Sequence, residues 1–253
     1  MSALSIGVVV FVVVFAGALL GMFLGRVLPK EHLSAETKDV IKVAMAMIAT
    51  LAALVLGLLT ASAKSSLDDK EGQVRSWAAE LLLLDRTLAA YGPEAQSARD
   101  LLKETVAARI QQLWPGTGTG LAPSALRAGS GVEGVQRKML ELQPQTDAQR
   151  WLKDTALTIG QTMAQARWAG VQTLGRSIKW PFIVILVFWL AVIFASFGLF
   201  APANAIVTMT LLLASLSVAG SIYLILEMDQ PYDGLIKISS APLLETLRQL
   251  GRP

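Results

Sequence analysis

Charged residues fall in blocks along this chain and leave three long apolar runs, 3–25, 43–63 and 180–226. A helix climbs about 1.5 Å per residue, so about 20 apolar residues cross the hydrocarbon core of a bilayer. The first two runs have that length, and the third has room for two spans. Its predicted break is 198–204, Gly-Leu-Phe-Ala-Pro-Ala-Asn, where Gly, Pro and Asn are turn formers. The pattern therefore predicts an all-α integral membrane protein with four transmembrane helices. A hairpin occupies 1–63, a helical polar insert 64–179, a second hairpin 180–226, and a polar segment 227–253.

The insert has its own helical periodicity. Val74, Trp77, Leu81, Leu84, Leu88 and Tyr91 alternate spacings of three and four, the seam of an amphipathic helix that Gly92-Pro93 ends. Ala98, Leu102, Val106, Ile110 and Leu113 predict a second helix. A loop rich in Gly, Pro, Ser and Thr covers 115–131. A short helix follows over 132–142. Thr146 then caps a long one carrying Leu152, Ala156, Ile159, Met163, Ala166, Gly170 and Leu174 on one stripe. A last amphipathic helix is expected over 242–250. Gly116, Gly118 and Gly120 lack a preceding strand and a Gly-Lys-Ser/Thr ending, so they make no phosphate loop.

Two apolar runs carry stripes of small residues. Gly17, Gly21 and Gly25 recur every fourth position in the first, and Ala49, Ala53, Gly57 and Ala61 in the second. Such stripes let transmembrane helices approach closely. Because the connection 26–42 is short, the first two spans are expected to pair as an antiparallel hairpin, small face on small face, with Ser34 capping the second. The opposite side of the second span carries Ile48, Leu51, Val55, Leu58 and Ser62. These are candidates to line a pore, with Lys64 just beyond as a candidate vestibule charge. In a single chain the same residues serve equally well facing lipid.

Composition narrows the chemistry. Hydrophobic residues make up 53% and charged residues 16%, below the roughly 25% usual in soluble domains. The absence of cysteine and the single histidine, His32, remove thiolate nucleophiles, cysteine metal sites and most histidine chemistry. Scattered carboxylates such as Asp85, Glu104 and Asp154 lie beside basic residues as solvated faces. No catalytic set, cofactor or metal site is expected. The net charge of +3 is dispersed, which argues against nucleic acid. No Lys or Arg precedes the first run, so it is expected to stay as a helix rather than be cleaved as a signal peptide. Near span ends, Lys64, Lys70, Arg75, Arg167, Arg176, Lys179 and Lys237 stand against Arg26, Lys30, Lys38 and Lys42. That excess places 64–179 and both termini in the cytoplasm.

Several stretches resemble one family. They are His32-Leu-Ser34, the span 51–64 leading into Ser-Leu-Asp-Asp, Ala89-Ala-Tyr-Gly92, Phe197-Gly-Leu-Phe-Ala-Pro-Ala-Asn204 and Asp229-Gln-Pro231-Tyr-Asp233-Gly234-Leu-Ile236. Together they resemble the bestrophin-like membrane proteins of bacteria, and more distantly the bestrophins. The resemblance implies a multi-pass protein of the bacterial inner membrane, embedded in lipid and assembled as a homo-oligomer, a pentamer in bestrophins. It implies conduction of small anions such as chloride through a neck lined by the second span. The chain departs from bestrophins after that span, where Thr60-Ala-Ser-Ala-Lys64 and Leu67-Asp-Asp69 replace their Arg-Thr-Asn and Tyr-Asp-Arg patterns. The acidic calcium clasp of animal bestrophins is reduced here to Asp229 and Asp233. An anion channel is thus the leading reading. A non-conducting scaffold or signalling protein, whose helical insert binds a partner along the Val74–Tyr91 seam, is the alternative.

Overall fold

The computed structural model describes residues 2–28, 35–115, 132–172, 180–202, 204–229 and 234–252. Among these residues the fold is helical and contains no strand: α1 (Ala3–Val27), α2 (Ala35–Tyr91), α3 (Gln96–Leu113), α4 (Val132–Glu141), α5 (Asp147–Gln172), α6 (Trp180–Phe200), α7 (Ala205–Met228) and α8 (Ala241–Gln249). Four helices, α1, α2, α6 and α7, are long and apolar enough to cross a membrane. The expected cap at Ser34, His32 and most of the glycine-rich loop lie outside the described residues.

Local chemistry explains most boundaries. Ser2 caps α1 by accepting from the Ser5 amide at 3.2 Å, and Asn204 caps α7 by accepting from the Val207 amide at 2.8 Å. Thr146 accepts from the Gln149 amide at 3.1 Å, and the Gln149 side chain returns a bond to the Gln145 amide at 2.8 Å. That is a capping box displaced by one residue. Gly92 ends α2 at φ 127°, where a side chain is strained, and a single 3-10 turn at Pro93–Ala95 leads into α3. One boundary is absent. The second apolar run and the Val74–Tyr91 seam belong to a single uninterrupted helix, since Lys64–Lys70 holds no Gly or Pro to stop it and its Ser and Asp residues stay helical.

The chain divides into two compact units, Met1–Leu67 with Arg176–Ile236, and Asp68–Gly175 with Lys237–Pro253. The first has a continuous apolar core that includes Val10, Val14 and Ala18 of α1, Ile183, Leu186 and Ile193 of α6, and Leu211, Ala219 and Ile222 of α7. α2 joins this core through Ala52, Leu59 and Ala63.

The second unit buries the expected seams: Val74, Leu81, Leu84, Leu88 and Tyr91 of α2, Ala98, Leu102, Val106 and Ile110 of α3, Ala156 and Met163 of α5, and Leu243 and Leu247 of α8. Ala166 is exposed, so the α5 stripe turns to solvent there; the side chains of Gly170 and Leu174 lie outside the description. Polar bonds fix the C-terminal segment. The Trp114 indole donates to the Ile238 carbonyl at 2.8 Å, and the Thr246 hydroxyl to the Ala78 carbonyl at 3.3 Å. Lys153 donates to the Leu140 and Leu142 carbonyls at 2.9 and 2.7 Å, satisfying acceptors at the end of α4. The hydrogen bond to Asp85 is the main influence raising the Arg99 pKa. Burial, and then the charge of Glu94, push the Tyr91 phenol up. The Tyr91 hydroxyl is buried without a hydrogen-bond partner among the described residues.

Candidate functional site

The membrane segment of α2 is the most exposed of the four spans: 11% of its apolar window is buried, against 33% in each of the others. At 100° per residue its side chains sort into three faces. Ala52, Leu59 and Ala63 are buried in the core of the first unit, flanked by half-buried Met45, Ile48, Val55 and Leu56. Ala46, Ala49, Ala53, Gly57 and Ala61 form a second face, all exposed. A Cβ built on Gly57 meets nothing within 4 Å among the described residues. Val43, Met47, Leu51, Leu54 and Leu58 make the third face, also exposed.

The stripe Ile48, Leu51, Val55, Leu58 and Ser62 falls across an edge between faces. Leu51, Leu58 and Ser62 are open, whereas Ile48 and Val55 turn partly toward the chain's own core. Leu54 belongs to the open bulky face and was not singled out by spacing. Lys64 is exposed beyond the last of these positions. Both threonine hydroxyls of the span are engaged as donors: Thr50 bonds the Ala46 carbonyl at 2.9 Å, and Thr60 the Leu56 carbonyl at 2.8 Å.

The expected pairing of the two small stripes is corrected by the structure. Gly17, Gly21 and Gly25 of α1 lie against the backbone of Ala191, Ala195 and Leu199 of α6. A Cβ on Gly17 would sit 2.9 Å from the Ala191 carbonyl oxygen, and one on Gly25 2.6 Å from that of Leu199. From the other side, Gly198 of α6 is pressed against the Ala18 carbonyl and the Met22 amide of α1. Glycines on both helices allow this reciprocal backbone contact, which α2 cannot match with alanines at three of its four small positions. The α1 stripe is thus occupied inside the chain, and the α2 stripe is left open.

At the end of α7 the structure reveals a clamp. The Glu227 carboxylate, buried, accepts from the Leu235 amide at 2.7 Å. Gly234 sits against Glu227 Oε2 at φ 111°, so lack of space and backbone conformation both require glycine. Asp229 follows as the C-cap of α7, while Pro231 and Asp233 lie outside the described residues. Among the described residues no group of three potential metal ligands occurs.

The order of elements, two apolar helices, a helical unit and two more apolar helices, is that of the family suggested by the sequence. The family model for the bestrophin-like domain matches residues 12–243. The chain belongs to the bestrophin-like family. Comparison with curated proteins and with solved structures yields no match. Bestrophins are typically oligomeric anion channels. In this bestrophin-like chain the match includes all four membrane helices in whole or in large part, together with Asp229, Pro231, Asp233 and Gly234. Glu227 escaped sequence reading because one carboxylate at the end of an apolar run looks like an ordinary interfacial charge. The αL-favouring Asp-Gly pair seven residues later was the available signal.

Proposed function

We infer that copies of this chain assemble around α2 into a channel for small anions. One observation carries the reading: a membrane helix with two adjacent open faces, one small and one bulky, in a chain whose other small stripe is already used. Small residues suit close contact with a neighbouring copy, so Ala49, Ala53, Gly57 and Ala61 pack between subunits. The bulky face turns toward the symmetry axis, where Leu51, Leu54 and Leu58 form a constriction gated by dewetting and Ser62 lines its wider end. Lys64 concentrates anions at the mouth. The helical unit and both termini lie in the cytoplasm of a cell whose inner membrane holds the channel, and five subunits close the ring as in bestrophins.

Reconstitution in liposomes tests this reading. Wild-type protein is expected to release loaded chloride, and Leu51→Ala and Leu58→Ala to change the rate. Absence of flux from an intact ring would falsify it. The scaffold alternative loses its surface, since the Val74–Tyr91 seam is packed within its own unit, with Leu81, Leu84 and Leu88 each 1% exposed.

A further inference from the structure

A cleft lies between α1 and the start of α7, lined by Leu19, Met22, Phe23 and Arg26 on one side and by Asn204, Ala205 and Thr208 on the other. Both helices belong to the membrane-spanning unit. The apolar run of α1 gives out at Arg26, and α7 begins beside it, so the cleft sits where hydrocarbon meets headgroups. Its accessible lining is mostly polar, but Leu19 and Phe23 add an open apolar stretch, 41% and 60% exposed. Arg26 puts a cation at its rim, and no carboxylate lines it among the described residues.

The Asn204 side-chain oxygen and the Thr208 hydroxyl proton are already engaged. Asn204 Oδ1 accepts from the Val207 amide at 2.8 Å, and the Thr208 hydroxyl donates to the Asn204 carbonyl at 3.0 Å. The charge of the lining comes from Arg26, whose planar guanidinium binds phosphate oxygens in pairs. The positive end of the α7 dipole points the same way. We propose that this cleft is a binding site for an anionic membrane phospholipid, its phosphodiester on Arg26 and one acyl chain along Leu19 and Phe23. Another membrane helix could cover Leu19 and Phe23 but leaves the guanidinium without an anion.

Native mass spectrometry of the full-length protein in mild detergent, titrated with phosphatidylglycerol, tests the assignment. Arg26→Gln is expected to weaken phosphatidylglycerol retention roughly tenfold, the scale of one lost charge-assisted contact. Arg26→Lys should restore part of it, and Phe23→Ala should weaken retention with the charge intact. Should Arg26→Gln fail to fold, Phe23→Ala decides. Millimolar inorganic phosphate should not displace the lipid. Equal retention by wild type, Arg26→Gln and Phe23→Ala would overturn the proposal. Displacement by inorganic phosphate would also overturn it, by making the site one for free anions. Retention is read without flux, so this result is independent of channel activity.

Discussion

Arg99 holds Asp85 in a two-pronged grip, Nε at 2.9 Å from Oδ1 and Nη2 at 3.0 Å from Oδ2, with the carboxylate completely buried. The same guanidinium donates to the Arg252 carbonyl at 2.8 Å, and the Gly251 amide donates to Asp85 Oδ2 at 3.3 Å. One ion pair therefore ties α2, α3 and the chain end together. Replacing Arg99 by Leu strands a buried charge and should cost about 3–5 kcal/mol. Asp85→Leu with Arg99→Leu should cost clearly less than the two single changes added. A double-mutant cycle by thermal or denaturant melts decides the point, and additive effects would remove the pair from this account.

Tyr91 makes the opposite prediction. Its hydroxyl is buried with no partner among the described residues, so Tyr91→Phe should stabilise the helical unit by about 1 kcal/mol. The folded phenol titrates above its ordinary value. Below the unfolded value near 10 its contribution is fully present, and it is lost as pH climbs through the higher folded value. Melts of wild type should thus show an extra loss of stability above about pH 10 that Tyr91→Phe lacks.

The glycine contact between α1 and α6 is sensitive to a single methyl group. Gly21→Ala places a Cβ onto the Ala195 carbonyl, and Gly198→Ala onto that of Ala18. Each should destabilise by about 1–3 kcal/mol or more through overpacking, read as a lowered melting point in detergent. Unchanged melting of both variants would mean that the helices are not this close.

Gly57 separates fold from assembly. No described residue lies within 4 Å of its built Cβ, so Gly57→Leu should leave the isolated subunit folded, with a helix propensity gain of up to about 1 kcal/mol. If the small face joins subunits, the same change should shift light-scattering mass toward the monomer. A fully retained oligomer would move the subunit contact elsewhere on α2.

Much of the fold was legible in the chain. Membrane spans announce themselves through length and lack of charge, and Asn204, Thr146 and Gly92 mark ends through local chemistry that needs no tertiary partner. Pairing was less legible. The stripes of α1 and α2 fit each other by pattern and adjacency, but Ala191, Ala195 and Gly198 form a third small stripe on α6 with glycine where the approach is tightest. Periodicity ranks none of these above another; only three-dimensional packing does. Asp85 and Arg99 sit on different helices, fourteen residues apart, with no shared period to connect them. On α2 the spacing does not reveal that Ile48 and Val55, which share the bulky stripe, help cover the chain's own core.

The contact of Gly21 with Ala195 also has a history in time. Trp180, where α6 starts, is made long after Val27, where α1 ends. At the usual rate of roughly 5–20 residues per second, translation between them takes on the order of 10–30 s. Throughout that interval α1 has an open glycine groove and no mate. The nascent chain therefore depends on lipid, or on the insertion machinery, to shelter the groove until its partner emerges.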